Sequence, residues 1–286
     1  MKIVLTVSEM TSTMREVNRP LGLVPTMGAL HQGHLSLVRR AKKDNSTVAV
    51  SIFVNPTQFG PKEDLTAYPR NQEQDLTLLE KLGVDLVFIP QPDDIYPTGF
   101  DTWVNVGQVA SRLEGESRPE HFRGVATVVT KLFNIVRPDR AYFGQKDAQQ
   151  TQVIRRLNND LNLGVELIAL PTVREIDGLA MSSRNAYLSP AERLAARVLW
   201  TALYQAHQMY SNGVRQASVI REAMQYIIGA EPAAKLEYIS IADPDTLSEL
   251  DAIRETALVS LAIRIGKTHL IDNVVLGIFP FESYLH

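Results

Sequence analysis

The chain has 286 residues, of which 45% are hydrophobic and 21% are charged. At about 150 residues per domain, this length predicts two domains, and the composition is that of a globular protein rather than a disordered one. The net charge of −3 argues against a general nucleic-acid or membrane-surface binder. The absence of cysteine excludes disulfides, zinc-thiolate sites and a thiol nucleophile.

Short apolar runs alternate with segments of helical period over residues 1–175, a pattern typical of a parallel sheet with crossover helices. The predicted strands cover residues 21–25, 48–55, 84–89, 140–144 and 165–170. The predicted helices cover residues 35–43, 72–82, 125–136 and 147–159. Further on, the pattern predicts helices over 190–209 and 216–228 and strands over 236–241 and 257–265. We therefore expect a Rossmann-like, doubly wound α/β domain over residues 1–176 and a smaller α+β domain over 177–286.

Two further features bear on where the protein works. The apolar run at residues 3–5 is too short for a secretory signal, and no segment approaches the roughly 18 to 20 apolar residues that span a bilayer. We therefore expect a cytoplasmic protein without a membrane or nucleic-acid partner.

The segment between the first predicted strand and the first predicted helix carries the clearest chemical signal. Gly28 and Gly33 have the spacing of a P-loop, but His34 stands where a P-loop has lysine, and the three-glycine dinucleotide fingerprint is absent. Two imidazoles, His31 and His34, remain at the helix start, where they and the aligned amides can bind phosphate. This arrangement suits charge developing on a triphosphate attacked at its α-phosphorus. A zinc site lacks a third ligand of suitable spacing, and a plain polar turn is the other alternative.

Two other groups of residues have the chemistry for binding phosphate. Arg184 follows Ser182 and Ser183 in a predicted loop at the domain junction, where a guanidinium and two hydroxyls can close over a triphosphate. Lys146 and Asp147 follow the predicted strand 140–144 at its carboxyl end. The alternatives are a serine-rich linker for the first group and a solvated turn for the second.

Five strings of the sequence carry a family resemblance. The turn HQGH at 31–34 resembles the signature of the nucleotidylyltransferase superfamily, and VPTMGALHQGHL at 24–35 resembles the pantothenate synthetase (pantoate:β-alanine ligase) family. The strings that agree further along are IFVNPTQFG at 52–60, HFRGV at 121–125, YFGQKDAQQ at 142–150 and MSSRNAYL at 181–188. The last of these departs from the lysine-containing loop of class I aminoacyl-tRNA synthetases.

The resemblance implies an ATP-dependent ligase of coenzyme A biosynthesis. It would form pantoyl adenylate from pantoate and ATP, and then pantothenate from the adenylate and β-alanine, with Mg²⁺ as cofactor and a homodimer as the assembly. The second domain would act as a lid. A nucleotidyltransferase acting on a phosphorylated alcohol and a non-catalytic nucleotide-binding module are the alternative functions.

The resemblance also assigns residues. Those expected to bind ATP are Met27, Gly28, Ala29, Leu30, His31, Gln32, Gly33, His34, Gly144, Gln145, Lys146, Asp147, Val173, Met181, Ser182, Ser183 and Arg184. Those expected to act in catalysis are His31, His34, Lys146, Ser182, Ser183 and Arg184. Gln58 and Gln150 would bind pantoate. By their apolar character, Met27 and Phe59 are candidates for walls around its gem-dimethyl group, and a place in the core is the alternative for both. Asp75 would hold Mg²⁺, although position 74 is glutamine and not a second carboxylate.

Other polar residues receive weaker predictions. Arg118 and His121 are secondary candidates for substrate or dimer contacts. His207, His269 and His286 are expected to be structural or exposed.

Overall fold

The secondary structure comes from a computed structural model that describes residues 1–61 and 63–278. The strands are β1 (Lys2–Val4), β2 (Leu21–Thr26), β3 (Thr47–Ile52), β4 (Leu86–Phe88), β5 (Arg140–Gly144), β6 (Glu166–Leu170), β7 (Ala234–Ala242), β8 (Ala257–Ile265) and β9 (Thr268–Leu276). The helices are α1 (Val7–Thr13), α2 (Gln32–Asp44), α3 (Gln72–Lys81), α4 (Pro92–Ile95), α5 (Glu114–Ser117), α6 (His121–Val136), α7 (Ala148–Asp160), α8 (Pro190–Ala195), α9 (Val198–Ser211) and α10 (Ala217–Gly229). Short 3₁₀ turns cover Pro56–Gln58, Gln108–Ala110, Gln145–Asp147 and Ser183–Tyr187.

The chain divides into two compact units. Among the described residues, the first comprises 1–144 and 149–170, and the second comprises 145–148 and 171–278. The domain boundary between 176 and 177 stays a prediction, since a division by packing need not coincide with a domain boundary in the sequence. Within the described residues, no helix combines the length and apolar character needed to cross a membrane.

The first unit is built on a parallel six-stranded sheet in the order β1-β4-β3-β2-β5-β6. Its inner strand β3 is buried along its whole length, as expected where crossover helices cover both faces. The chain proceeds from β2 to β3 and β4 on one side, and then crosses to β5 and β6 on the other. In open α/β sheets, ligands bind at the carboxyl ends of strands beside such a reversal. The turn after β2 therefore begins at the expected place for a ligand.

Helix α2 is held against this sheet by its apolar side. Leu35, Val38 and Ala41 are buried in one cluster with Val24 of β2 and Val50 of β3. Burying a side chain of this kind contributes about 1.5 to 3 kcal/mol, so the start of α2 is fixed relative to the end of β2.

The second unit has an antiparallel sheet in the order β7-β8-β9. Helices α9 and α10 share its buried core, which includes Leu199, Leu203, Ile220, Val259 and Val274. The predicted fold class, a doubly wound parallel sheet with a smaller α+β part, is confirmed.

Some elements differ from those predicted. The predicted helix 190–209 is two helices, α8 and α9. Ala195, Ala196 and Leu199 are buried in the same core on both sides of the break, so the apolar pattern does not reveal it. The strands β1 and β9 were not predicted. β1 has three residues and lies at the edge of the sheet beside β4, and Ile3 is 43% exposed, so its apolar signal is weak.

Candidate active site

The carboxylate of Asp75 holds the turn after β2 in place. Gly28 and Ala29 have φ of 82° and 50°, the left-handed region that an ordinary side chain disfavours. Asp75 of α3 accepts hydrogen bonds from the backbone N–H of Ala29 at 2.9 Å and of Leu30 at 2.7 Å. Its side chain is buried, and burial raises the pKa of Asp75 although the two amide bonds act in the opposite direction. Asp75 therefore fixes the turn that leads to the histidines.

The side chains of His31 and His34 form a reciprocal cap at the start of α2. His31 is the N-cap, and its Nδ1 accepts from the backbone N–H of Gly33 at 3.2 Å. Nδ1 of His34 accepts from the backbone N–H of His31 at 3.3 Å, which completes a reciprocal capping box. The ring centroids lie 4.1 Å apart. A Cβ at position 33 would lie 2.9 Å from the His31 ring, so glycine is required for this arrangement.

The caps decide where each ring carries its proton. Because Nδ1 of both His31 and His34 accepts a backbone N–H, Nε2 is the protonated nitrogen of each neutral ring. Each neutral ring therefore has an N–H donor at Nε2. Two such donors at a helix N-terminus can stabilise negative charge on a phosphate.

A second group of polar residues lies after β3. Asn55 is 1% exposed, and its Nδ2 donates to Oε1 of Gln58 at 3.1 Å and to the carbonyl of Gly124 at 3.1 Å. Its Oδ1 accepts from the hydroxyl of Tyr96 at 2.8 Å. Nε2 of Gln58 donates to Sδ of Met27 at 3.2 Å. The structure thus brings together two of the residues predicted for pantoate, Met27 and Gln58, and fixes the orientation of the Gln58 amide.

The backbone of the same turn is held by α6 and the segment before it. Nδ1 of His121 lies 2.9 Å from the carbonyl oxygen of Gln58, to which it donates. Arg118 binds Glu63 through two hydrogen bonds of 2.8 and 2.5 Å and lies 3.4 Å from the same Gln58 carbonyl. Burial raises the pKa of Glu63, but the bonds and charge of Arg118 outweigh it and hold the pKa below its usual value. The contacts of Arg118 and His121 with the Gln58 turn are positioning contacts; a role of either in binding substrate or a dimer partner stays a prediction.

We expect the stability of the protein to fall in mild acid because of His121. Burial first, and then the charge of Arg118, lower the pKa of His121 to about 4, although Glu63 and Glu114 act in the other direction. The unfolded chain binds a proton at His121 near pH 6.5, whereas the native protein binds it only near pH 4. The free energy of unfolding therefore decreases as the pH falls from about 6.5 toward 4. Between pH 7.5 and 5 the loss is about 2 kcal/mol.

The measurement is urea unfolding of the wild type and of His121→Asn, in which an amide N–H replaces Nδ1–H and nothing titrates. The variant is expected to lose less stability between pH 7.5 and 5. Parallel losses in the two proteins would contradict the assignment.

The remaining phosphate candidates lie in the second unit. Lys146 stands in the 3₁₀ turn after β5, and its Nζ lies 3.4 Å from Oδ1 of Asp147. Its side chain is 20% exposed. Ser182 caps the next 3₁₀ turn, since its Oγ accepts from the backbone N–H of Arg184 at 3.2 Å. Asn185 donates to Glu175 and to the carbonyl of Ala180, both at 3.1 Å, which holds this turn in place.

The other predicted residues have these positions. Gln32 begins α2 and accepts from Arg39 at 3.0 Å, and Gly144 ends β5. The N–H of Met181 donates to the carbonyl of Val173 at 3.0 Å. Gln150 is half-buried near the start of α7. Their roles as site residues stay predictions.

The histidines outside the motif have local partners. His207 contacts Ser211 and His269 contacts Glu237, in agreement with a structural role. His286 lies outside the described residues.

Sequence reasoning gave no role to Asn55 or Asn273 and gave Asp75 a different one. Each of the three binds backbone groups that are far away in sequence: Asn55 the carbonyl of Gly124, Asp75 the N–H groups of Ala29 and Leu30, and Asn273 of β9 the carbonyls of Gln145 and Lys146. For Asn55 a signal exists, because asparagine directly before a proline is typical of an N-cap. The other two contacts follow only from the tertiary fold.

Comparisons with known proteins identify the family of the chain. The family model described as pantoate-beta-alanine ligase matches residues 2–275. A pantothenate synthetase from Roseiflexus castenholzii is 58% identical over 276 residues, covering 96% of this chain and 99% of that protein. One from Thermotoga petrophila is 53% identical over 280 residues, covering 97% of this chain and 100% of that protein.

Solved structures are similar as well. The crystal structure of pantothenate synthetase from Thermus thermophilus has a TM-score of 0.92 and 46% identity and covers 96% of this chain and 99% of that one. The pantoate-beta-alanine ligase from Francisella tularensis, complexed with beta-gamma ATP and beta-alanine, has a TM-score of 0.80 and 36% identity. It covers 96% of this chain and 97% of that one.

Proposed function

This chain belongs to the pantoate-beta-alanine ligase family, and we propose that it condenses pantoate with β-alanine to pantothenate through a pantoyl-adenylate intermediate. ATP is consumed, and AMP and pyrophosphate are released. The observation that carries this proposal is the histidine pair at the start of α2, with Nε2–H of both rings set as donors. Support comes from the relative whose structure holds an ATP compound and beta-alanine.

The first half-reaction joins pantoate to AMP. A carboxylate oxygen of pantoate attacks the α-phosphorus, and the bond from that phosphorus to the β-phosphate bridging oxygen breaks. Negative charge grows on the phosphate oxygens, where the donors of His31 and His34 and the N-terminal amides of α2 stabilise it. Lys146 and Arg184 are proposed to bind the departing pyrophosphate, with Ser182 and Ser183 as hydroxyl donors.

The second half-reaction forms the amide. The amine of β-alanine attacks the acyl carbon of pantoyl adenylate, loses a proton and expels AMP. No covalent bond to the protein forms in either step. Holding the two reactants in line and excluding water from the mixed anhydride supply much of the acceleration.

Pantoate is proposed to bind beside the Gln58 turn. Pantoate has hydroxyls, a carboxylate and an apolar gem-dimethyl group, so it needs amide donors and acceptors in a partly apolar pocket. Gln58 is oriented by Asn55 and contacts Met27, which offers both kinds of surface. Gln150 is the second amide proposed for this substrate.

We expect Gln150→Ala to weaken pantoate binding by roughly 3- to 10-fold, the value of one lost hydrogen bond, and to leave ATP binding unchanged. Calorimetric titrations with pantoate and with ATP measure the two effects. Gln152→Ala is the control, since it lies about 200° around the same helix. An equal loss of affinity for both ligands would place Gln150 outside the pantoate pocket.

Magnesium is expected to accompany ATP. The described residues contain no group of three His, Cys, Asp or Glu side chains suited to a metal ion, and both oxygens of Asp75 accept backbone amides. These residues do not form a metal site of their own, so no step is assigned to the ion. Asp75 as a ligand stays a prediction, which the Asp75 variant described below tests.

Product analysis tests the proposed reaction. The protein is incubated with ATP, magnesium, pantoate and β-alanine, each omitted in turn, and products are identified by mass spectrometry. We expect pantothenate and AMP only in the complete mixture, and pantoyl adenylate when β-alanine is omitted. A product that retains the nucleotide would indicate a nucleotidyltransferase, and ATP binding without turnover would indicate a binding module.

Two other features are part of the proposal. A homodimer is proposed from the family resemblance, and sedimentation velocity measures the assembly state. A cytoplasmic location is proposed on the same basis, and fractionation of cells tests it.

A further inference from the structure

Strand β9 has two adjacent polar residues in the middle of an apolar run. Asp272 is 1% exposed and Asn273 is 3% exposed. The residues that follow them, Val274, Val275 and Leu276, are buried apolar side chains. Buried polar side chains are kept only where their hydrogen bonds are satisfied, and replacing them with apolar residues is often neutral or stabilising. Their partners therefore indicate what the pair does.

Asn273 binds the turn that carries Lys146. Its Nδ2 donates to the backbone carbonyl of Gln145 at 3.0 Å and to that of Lys146 at 2.8 Å. Its Oδ1 accepts from Nε2 of Gln145 at 3.1 Å. The Asn273 amide thus fixes the turn through two donated hydrogen bonds and one accepted hydrogen bond. They also explain why residues 145–148 pack with the second unit.

Asp272 braces Asn273 and binds a second segment. Its carboxylate forms a two-bond ion pair with Arg174, at 2.6 and 3.0 Å, and accepts the backbone N–H of Asn273 at 2.7 Å. Arg174 also donates to the carbonyl of Asn273 at 3.2 Å, and its guanidinium lies 4.1 Å from the centroid of the Trp200 ring. The position of Asn273 is therefore fixed by buried, charge-assisted bonds.

The ion pair of Asp272 with Arg174 also positions the segment before Ser182 and Arg184. Arg174 is bridged to Ala180 in a short antiparallel pair, directly before the turn that contains Ser182 and Arg184. Two neighbouring residues of one strand, Asp272 and Asn273, thus hold both segments of the second unit that are proposed to bind phosphate.

We propose that Asn273 is a positioning residue for adenylate formation: it fixes the backbone of Gln145 and Lys146 and so directs the Lys146 ammonium to the ATP phosphates. Asp272 holds Asn273 in place through Arg174. This inference rests on the proposed role of Lys146 in binding phosphate. A misplacement of about 1 Å in such a group can cost on the order of 10²-fold in rate, so a residue without contact to ATP can control ATP use.

The test is a double-mutant cycle of Asn273→Asp and Lys146→Ala, read as kcat/KM for ATP and for pantoate. Asn273→Asp keeps the shape of the side chain and removes both donors to the turn. We expect it to lower kcat/KM for ATP by roughly 10-fold, to leave KM for pantoate unchanged, and to reduce the further loss caused by Lys146→Ala. Residues that act as a unit give such non-additive losses.

Two further variants separate positioning from stability. Asn273→Ala removes both donated bonds and the bond accepted from Gln145 without burying a charge, in case the aspartate variant fails to fold. It is expected to show at least the same loss for ATP. Val274→Ala is the matched control, since Val274 is the next residue of β9 and is buried in the apolar core of the second unit. It is expected to lower the melting temperature and to leave kcat/KM for ATP near the wild-type value.

Two results would overturn the inference. In the first, the fold loss in kcat/KM of the double variant equals the product of the fold losses from Asn273→Asp and Lys146→Ala, so the two residues act independently. In the second, Val274→Ala lowers kcat/KM for ATP as much as the Asn273 variants do. Either result would make Asn273 structural only. If Lys146→Ala itself leaves kcat/KM for ATP unchanged, the proposed role of Lys146 fails, and the inference fails with it.

Discussion

Replacing His34 with alanine is expected to slow formation of pantoyl adenylate by about 10² to 10³-fold, the usual cost of removing one preorganised donor from developing charge. The donor in question is Nε2–H, because Nδ1 already accepts the backbone N–H of His31 at 3.3 Å. The measurement is a single-turnover assay with protein in excess over ATP, which isolates adenylation from product release. Near-normal rates in this assay would exclude the role.

Two other substitutions separate the donor from the cap. His34→Asn retains an acceptor near the position of Nδ1 and lacks a donor at Nε2, so it is expected to be nearly as slow as alanine although α2 keeps its cap. His34→Gln extends an amide N–H toward the position of Nε2 and is expected to recover part of the rate. If asparagine restored activity and glutamine did not, the capping bond rather than the donor would matter.

Replacing Asp75 with alanine is expected to cost roughly 2 to 6 kcal/mol in the free energy of unfolding. The backbone N–H groups of Ala29 and Leu30 lose their acceptor, and each unsatisfied buried donor costs about 1 to 3 kcal/mol. Adenylation is expected to fall as well, because the turn leads directly to His31. Urea unfolding and the single-turnover assay measure these effects, and Glu73→Ala, exposed on the same helix, is the control.

A magnesium titration distinguishes the two roles of Asp75. If the carboxylate holds the turn, raising the magnesium concentration does not change the adenylation rate of Asp75→Ala. The free energy of unfolding of the variant also stays below that of the wild type. Recovery of the rate at high magnesium, with wild-type stability, would instead make Asp75 a metal ligand.

The parallel sheet could be predicted from the sequence because burial on both faces gives its inner strands a simple apolar pattern. Strands covered on both faces must be apolar throughout, so β2, β3 and β5 stand out as short hydrophobic runs between helical segments. Strand β9 could not be recognised in this way. Its buried polar pair Asp272 and Asn273 interrupts the pattern, because these side chains bind other segments instead of the core.

The candidate site shows the same limit. The glycine and two histidines of the turn at 31–34 could be recognised because they are close in sequence and stand at a strand-to-helix junction. The hydrogen bonds that decide what each ring can donate depend on backbone geometry. The contact of Asp75 with the turn joins residues 45 and 46 positions apart, and no local pattern records such a contact.

The central claim is that the His31 and His34 rings face the phosphates of ATP as the bond between its α- and β-phosphates breaks. A crystal structure of the protein with a non-hydrolysable ATP analogue measures this directly. We expect Nε2 of both rings to lie within about 2.7 to 3.2 Å of phosphate oxygens, with the α-phosphate over the start of α2. Phosphates bound by other groups, with both rings turned away from them, would contradict the account.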